Sequence, residues 1–357
     1  MTPKSLPPEL SDRFTEGVLI GKGGFARVFK AKRRDGIPVA IKIPITLDAS
    51  TGKSFIAEMQ NWTKFSHPNI VKVYDFNIMP VAYFEMELCD SSFADLKKPV
   101  NPVEAAWLLF NVCDGLKYAH AKAIIHRDLK PQNILLKDGV PKISDWGLSK
   151  VVAESTTTTA TAFTPYYAAP EQLTHKKKDW RTDVWQLGVI LYELVTGVLP
   201  FNGDNMVEIM SSIATTDPKK PGDVVTDARK IEPVIMMCLQ KDPNRRFQSV
   251  TALQTALARY LNVDYAQALK LSVTTKDFRK SALFCGDLVL VNLKIGDIRT
   301  AHKYLTDFVY YTEGDIKFEA HELAKQIQHR IELNLTEIPD ELIQKAEFIV
   351  HKVNFGF

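Results

Sequence analysis

The residues best suited to chemistry form two short segments, His-Arg-Asp-Leu-Lys-Pro-Gln-Asn at 126–133 and Asp-Trp-Gly at 145–147. Phosphoryl transfer requires a carboxylate that orients the attacking hydroxyl group, ligands for a metal ion and a cation near the phosphates. Asp128 can orient the hydroxyl, and Asn133 and Asp145 can bind Mg²⁺. The types and spacing of these residues therefore predict a phosphoryl-transfer site.

The segment 126–133, called the catalytic loop below, resembles the same loop of serine/threonine protein kinases. Tyrosine kinases usually carry Ala-Ala-Arg or Arg-Ala-Ala there. The resemblance implies that Asp128 orients a serine or threonine hydroxyl of a protein substrate and that Lys130 neutralises the charge developing on the transferred group. It implies ATP and Mg²⁺ as partners in the reaction. It also implies an α+β fold of two lobes, with an antiparallel β-sheet in the N-terminal lobe and mainly α-helices in the C-terminal lobe.

Length and composition limit the class of protein. A chain of 357 residues exceeds one ordinary domain, which favours an enzyme domain with an appendage. Hydrophobic residues make up 45% and charged residues 24%, as in soluble globular proteins. The net charge of +3 and the lack of a basic stripe with aromatics argue against nucleic-acid binding.

The sequence has no apolar signal core at its beginning and no run of about 20 apolar residues, so we expect a cytoplasmic protein without a membrane span. Four cysteines are widely scattered, and their spacing predicts neither a disulfide framework nor a metal site.

A glycine-rich run at 21–28, Gly-Lys-Gly-Gly-Phe-Ala-Arg-Val, lies between alternating apolar segments of the N-terminal lobe, predicted at 12–87. This context is typical of a hairpin that covers phosphates. Ala26 replaces the third glycine of the family pattern Gly-x-Gly-x-x-Gly. Because alanine is small, we expect the hairpin still to fold over a nucleotide.

Lys42 ends the apolar sequence Val-Ala-Ile-Lys, and a lysine in such a strand needs a partner or a ligand. The resemblance implies that Lys42 contacts the α- and β-phosphates and pairs with a glutamate of the next helix. Helical apolar spacing predicts that helix at 54–65, and Glu58 is its only acid. Glu58 is therefore the expected partner.

The resemblance also implies an adenine pocket. A strand predicted at 83–89 leads into the hinge, residues 87–89, whose backbone would bond the adenine edge; Ser92 or Asp95 could meet the ribose. The residues implied to contact the nucleotide are Ile20, Gly21, Gly23, Val28, Ala40, Lys42, Met86 as the gatekeeper, Glu87, Cys89, and Leu135 as the floor of the pocket.

Trp146 stands where the family usually has phenylalanine. Because tryptophan is larger, its pocket must be enlarged or its neighbours rearranged. We expect Trp62, Val73, Trp146 and His126 to stack into one apolar column that links the lobes. The alternative is that Trp146 is only a core residue.

The stretch 145–171 has the length of an activation segment, and its middle, 155–161, is almost entirely Ser and Thr. A phosphate added there could pair with Arg127 and order the loop, which predicts activating autophosphorylation. The alternative is a flexible polar loop. The resemblance implies that Thr164 bonds Asp128 and Lys130.

Two further residues are expected to stabilise the C-terminal lobe, predicted at 88–262. By resemblance, Glu171 pairs with Arg246 in the interior, and Asp183, at the start of a very apolar helix, holds the backbone of the catalytic loop. The Pro-Glu-Gln sequence at 170–172 favours a prokaryotic member of the family.

The kinase resemblance covers residues 1–262, and 263–357 are strongly helical in pattern. Residues 288–305 resemble the middle of a tetratricopeptide repeat, in which a Gly-Asp turn joins two helices that cross at Ala301. Further helices are predicted at 316–333 and 339–352. A generic helical bundle is the alternative, and this domain is expected to bind a protein partner or to self-associate.

The sequence therefore predicts a serine/threonine protein kinase with a tetratricopeptide-like domain. A pseudokinase scaffold that acts through its helical tail is the main alternative. Ala26 and Trp146 favour it, whereas the filled charged positions argue against it. A kinase of small molecules is a third possibility, which Thr164 and the activation segment argue against.

Overall fold

The N-terminal lobe is built on a five-stranded antiparallel sheet with strand order β1-β2-β3-β5-β4. The computed structural model describes residues 5–23, 26–45, 62–63, 65–146, 165–174 and 178–355. The strands of this sheet are β1 Phe14–Lys22, β2 Ala26–Arg33, β3 Pro38–Pro44, β4 Val73–Asn77 and β5 Tyr83–Glu87.

Burial along the strands follows their place in the sheet. β1, at the edge, alternates between more and less buried residues, whereas β5 is buried throughout because it lies between β3 and β4. The apolar core of this lobe consists of Leu10, Phe14, Phe29, Ala31, Val39, Ile41, Ile43 and Tyr83. Lys42 pairs with Val28 on one side and Phe84 on the other, so this lysine lies in the middle of the sheet.

The segment before β4 pairs with the C-terminal lobe rather than with the sheet. The Val71 amide donates to the Ile143 carbonyl oxygen at 2.9 Å, and the Ile143 amide donates to the Asn69 carbonyl oxygen at 2.9 Å. The sequence pattern at 70–74 predicts a strand, but β4 begins only at Val73, because the backbone groups of residues 69–71 are bonded across the lobes. Gly115 faces this segment, and a Cβ atom there would lie 2.8 Å from the Asn69 carbonyl oxygen.

The C-terminal lobe consists of a small sheet and mainly helices, as predicted. Its sheet has the order β6-β7-β8. The elements are β6 Ser91–Ser92, β7 Ile134–Lys137, β8 Val140–Ile143, α1 Pro102–Ala121, α2 Trp180–Thr196, α3 Met206–Thr215 and α4 Glu232–Cys238. The Asn101 side chain caps α1 by accepting from the Val103 amide, and Pro102 occupies the first turn.

Helix α2 is buried along nearly its whole length. The Asp179 side chain accepts from the Arg181 amide at its start, and Gly197, with φ of 76°, ends it. A helix buried on every side is a rigid support for the segments packed around it.

Glu171 and Arg246 form the buried ion pair that was predicted. Nη1 and Nη2 of Arg246 lie 2.8 Å from Oε1 and Oε2 of Glu171, and Thr182 Oγ1 donates to Oε1 at 2.9 Å. Burial alone would raise the pKa of Glu171, but the hydrogen bonds and charge of Arg246 outweigh it, so this pKa is lowered.

The chain divides into two compact units, Met1–Thr251 and Ala252–Phe357. The helix α5 Val250–Thr274 runs through residues 262 and 263, where the sequence suggested a boundary. The other helices of the second unit are α6 Phe278–Lys294, α7 Ile298–Tyr311, α8 Gly314–Glu332 and α9 Asp340–Phe355. Among the described residues, no helix combines the length and apolar composition needed to cross a membrane.

The predicted turn between α6 and α7 is present. Gly296 has φ of 84°, and the Asp297 side chain accepts from the Thr300 amide, which caps α7. Ala301 is fully buried, as expected for a close helix crossing. Asn262 of α5 and Asn292 of α6 exchange amide hydrogen bonds of 3.1 and 2.9 Å. The helical class of this region is confirmed, and its tetratricopeptide likeness stays a prediction.

Breaking the Glu171–Arg246 pair should destabilise the first unit. We expect Glu171→Gln to lower its free energy of unfolding by about 3–5 kcal/mol, since Arg246 would keep an unpaired buried charge. Because the pKa of Glu171 is lowered by folding, this stabilisation is present above the ordinary carboxyl pKa and is lost as the pH falls through the folded-state pKa.

Urea unfolding followed by tryptophan fluorescence measures this effect in the first unit alone. All five tryptophans belong to it: Trp62, Trp107, Trp146, Trp180 and Trp185. Glu9→Gln, which changes an exposed glutamate, is the control. An equal effect of the two substitutions would show that the buried pair contributes nothing specific.

Candidate active site

The catalytic loop brings Asp128, Lys130 and Asn133 together. Lys130 Nζ lies 3.0 Å from Asp128 Oδ2, and Asn133 Nδ2 donates to the Asp128 carbonyl oxygen at 2.7 Å and to Oδ2 at 3.1 Å. The Asp128 side chain is 33% exposed, so a substrate can reach it. The loop therefore presents one oriented carboxylate beside one cation.

Asp183 of α2 holds the backbone that precedes Asp128. Its Oδ1 accepts from the Arg127 amide at 2.8 Å, and its Oδ2 accepts from the His126 amide at 3.0 Å and lies 2.8 Å from His120 Nε2. The carboxylate is fully buried, so these contacts replace all its solvation. The predicted role of Asp183 is present in the structure.

Two glutamines complete this support, and neither was assigned a role from the sequence. Gln186 accepts from the Leu129 amide and donates to the Arg127 carbonyl oxygen, both at 2.9 Å. Gln172 Nε2 donates to the same carbonyl oxygen at 2.9 Å. A usable signal was present for Gln186, since it is a polar residue one helical turn after Asp183 in an apolar helix.

Two residues of the site have a backbone conformation that is uncommon for residues other than glycine. The φ angles are 66° for Arg127 and 62° for Asp145. Such conformations cost about 1–3 kcal/mol each and persist where the surroundings impose them. For Arg127, the bonds from Asp183, Gln186 and Gln172 provide that constraint.

Lys42 forms an ion pair with Asp145 across the two lobes, with Nζ 2.6 Å from Oδ1. The lysine side chain is only 4% exposed. Burial alone would raise the pKa of Asp145, but the charge and hydrogen bond of Lys42 outweigh it and lower this pKa. The carboxylate is therefore held ionised. The predicted partner Glu58 lies outside the described residues, as does Thr164.

The donor set fits Mg²⁺. Asn133 uses its amide nitrogen on Asp128, and no described hydrogen bond involves its side-chain oxygen. That oxygen and the ionised carboxylate of Asp145 are ligands of the kind Mg²⁺ prefers. Ser144, the residue before Asp145, donates its amide to the Asn133 carbonyl oxygen at 2.9 Å, which ties the two candidate ligands together.

Most of the residues implied to contact a nucleotide lie on β1, β2, β3, β5 and β7, whereas Gly23 and Cys89 follow the ends of β1 and β5. Ala40 pairs with Met86, and both side chains are buried, whereas Ile20 of β1 is 52% exposed. Val28, Cys89 and Leu135 are partly buried. Gly21 pairs with Val28, and the Gly23 amide donates to the Ala26 carbonyl oxygen at 2.9 Å, which closes the hairpin next to residues 24 and 25, outside the described range.

The two residues suggested for the ribose, Ser92 and Asp95, are hydrogen-bonded to each other, and their contact with a ribose stays a prediction. The amide and hydroxyl of Ser92 donate to Asp95 Oδ2 at 2.8 and 2.7 Å, which forms a local cap.

Trp146 packs between the lobes, and its neighbours differ partly from the predicted column. Its ring centroid lies 4.8 Å from that of His126, as expected, and 4.8 Å from that of Phe65. Trp62 packs on Phe84 instead, with ring centroids 5.5 Å apart, and donates to the Val71 carbonyl oxygen.

Comparison with known proteins agrees with this geometry. A family model described as the protein kinase domain matches residues 14–258. Serine/threonine-protein kinase PknB of Mycobacterium leprae is 32% identical over 274 residues, covering 71% of this chain and 44% of that protein. PknB of Mycobacterium tuberculosis is 31% identical over 283 residues, covering 74% and 45%. The probable PknB of Corynebacterium glutamicum is 32% identical over 293 residues, covering 75% and 45%. The chain thus spans less than half the length of these relatives.

Replacing Trp146 by phenylalanine should leave the site working. The Nε1 atom of Trp146 is buried and has no hydrogen-bond partner, so the change removes an unsatisfied donor while it leaves some space. We expect the free energy of unfolding to change by less than about 1.5 kcal/mol and phosphoryl transfer to stay within about threefold.

Urea unfolding and steady-state kinetics check this, with Trp107→Phe on α1 as the control for the loss of an indole ring. A loss of activity of about a hundredfold in Trp146→Phe alone would show that the indole itself is required.

Proposed function

Since the chain belongs to the protein kinase family, we propose that it transfers the γ-phosphoryl group of ATP to serine or threonine hydroxyls of proteins. The observation that carries this proposal is the meeting of Asp128, Lys130 and Asn133 with the Lys42–Asp145 pair. The N-terminal lobe supplies Lys42 and the C-terminal lobe supplies the other groups. Together they provide the carboxylates, the cations and the amide oxygen that phosphoryl transfer can use.

Each side chain has a defined task in this proposal. Asp128 accepts a hydrogen bond from the substrate hydroxyl and orients it, and Lys130 stabilises negative charge on the transferred group. Asn133 and Asp145 would hold Mg²⁺, which neutralises phosphate charge when it is bound. When a nucleotide binds, its α- and β-phosphates would compete with Asp145 for Lys42.

A peptide acceptor is favoured over a small molecule by the segment 165–174. Tyr167 donates its hydroxyl to Glu193 of α2 at 2.6 Å, and Glu171 is bound by Arg246. These contacts fix the segment after the catalytic loop on the buried helix. A fixed surface beside Asp128 supports binding of an extended polypeptide.

Activation by autophosphorylation is supported by the surroundings of Arg127. Its Nε atom is buried and makes no hydrogen bond, although its backbone is held on three sides. A guanidinium group with an unpaired Nε–H next to Asp128 fits a phosphate group, which would accept charge-assisted hydrogen bonds. The candidate acceptors, Thr156 to Thr161, lie outside the described residues.

The pseudokinase alternative assigns the function to the second unit. Exposed aromatic side chains on its helices, Phe278, Tyr310, Phe318 and Phe348, are compatible with binding of a protein partner or a second copy. This role does not exclude catalysis. We propose the enzyme as the primary function, which is supported by the Lys130–Asp128 and Lys42–Asp145 ion pairs.

Incubation of the purified protein with ATP and Mg²⁺ tests the proposal. We expect phosphate on one or more residues between Thr156 and Thr161, found by intact mass and peptide mapping, and none in Asp145→Asn. The asparagine keeps the shape of the side chain but lacks the charge needed to bind the metal ion.

A generic serine/threonine substrate gives the second readout. Transfer to such a substrate without autophosphorylation would retain the kinase and exclude the activation step. Nucleotide binding without transfer to either acceptor, in a folded protein, would favour the scaffold.

A further inference from the structure

Glu87, the first residue of the hinge, has a buried side chain that no step of phosphoryl transfer uses. It is 6% exposed, at the end of β5. Its Oε1 accepts from the Lys72 amide at 2.7 Å, and its own amide donates to the Lys72 carbonyl oxygen at 2.9 Å. Two hydrogen bonds therefore fix the start of the hinge to the chain at the beginning of β4.

Two lysines of the C-terminal lobe reach the same carboxylate. Lys142 Nζ lies 3.1 Å from Oε1, and Lys137 Nζ lies 3.3 Å from Oε2. Lys142 is 13% exposed and also donates to the Pro68 carbonyl oxygen at 2.8 Å. One carboxylate thus joins the hinge, the segment before β4 and the hairpin β7–β8.

The charges make this contact a strong constraint. A buried carboxylate without its cations would keep a large desolvation penalty, so the arrangement is held more tightly than a surface ion pair. Burial would lower the pKa of Lys137, but the charge and hydrogen bond of Glu87 outweigh it and raise this pKa. Lys137 is therefore charged around neutral pH.

The position of Lys142 connects this contact to the nucleotide pocket. In the hairpin, Lys142 pairs directly with Leu135, the expected floor of the adenine site. The Glu87–Lys142 contact thus links the two sides of the expected adenine site, which are the hinge backbone on one side and Leu135 on the other. Lys142 also precedes Asp145 by three residues on the same strand and its continuation.

We propose that the Glu87–Lys142 ion pair is a positioning element for adenine nucleotides, which fixes the hinge against the floor of the pocket. Lys137, which is more exposed than Lys142, strengthens this ion pair by contacting the other oxygen of the Glu87 carboxylate. This inference rests on the proposed function, because it assumes that ATP binds in this cleft. Glu87 acts through the hinge backbone and touches no reacting atom.

Lys142→Met tests the proposal in the full chain. We expect the Kd for ATP, measured by calorimetry, and the KM for ATP to rise about tenfold, the change typical of losing one charge-assisted contact. kcat should stay within about twofold, because Asp128 and its supports are untouched. Lys142→Arg, which restores the charge, should recover most of the affinity.

Matched variants separate positioning from general stability. Lys97→Met removes an exposed lysine and should leave Kd unchanged. Glu87→Gln removes the charge that binds both lysines, so it should raise the Kd at least as much as Lys142→Met does. The double variant should bind ATP no more weakly than Glu87→Gln alone, because the Glu87–Lys142 contact is already lost in the single variant. Thermal unfolding confirms that each variant is folded, and Lys137→Met gives a smaller change in the same direction if Lys142→Met does not fold.

An unchanged Kd in folded Lys142→Met would overturn the proposal. So would a higher kcat at unchanged Kd, since the pair would then restrain movement of the lobes instead of positioning the nucleotide. A parent protein that binds no ATP would refute the proposed function itself, and this outcome is visible before any variant is compared.

Discussion

The site depends on the contact between the buried carboxylate of Asp183 and the backbone of the catalytic loop. Three N–H groups meet this carboxylate, two of them the amides of His126 and Arg127. Arg127 is held at φ of 66°, a conformation the chain would leave if the bonds were absent. Because Asp128 follows directly, its direction is set by this constraint. The position of the buried helix α2 therefore determines the orientation of the Asp128 carboxylate.

The two lobes are connected by backbone pairing as well as by side chains. Residues 69–71 bond to Ile143, and Ile143 lies two residues before Asp145. A shift of the segment before β4 would therefore reach Asp145 directly, and with it the ion pair to Lys42. Glu87 and Lys142 bind the same region from the hinge side. The proposed metal ligands Asn133 and Asp145 flank the β7–β8 hairpin, which also carries Leu135 of the proposed adenine pocket, so the position of one proposed site restricts the other.

Local patterns were sufficient for much of the fold. The apolar spacing within residues 102–121 predicts one long helix, and α1 spans Pro102–Ala121. The catalytic loop was recognised from eight consecutive residues. The start of β4 was wrong because residues 69–71 bond to a strand about 70 residues away, which no local pattern encodes. The same limit explains why Phe65 instead of Trp62 meets the ring of Trp146. Lys42 was known to need an acid, but its contact with Asp145 depends on how the lobes meet.

The two departures from the family pattern, Ala26 and Trp146, affect packing rather than charge. The hairpin turn next to Ala26 is closed by its carbonyl oxygen, a bond that any side chain leaves intact. Trp146 fills its larger volume between Phe65 and His126 and is only 3% exposed. Neighbouring side chains can adjust to a change in volume, whereas a missing charge at Asp128 or Lys42 has no substitute nearby. A kinase that loses catalysis is expected to lose its charged catalytic residues first, and in this sequence those positions are occupied by the charged residues of the family pattern. The two departures therefore fit repacking around an intact set of charged residues, which agrees with the proposed kinase activity.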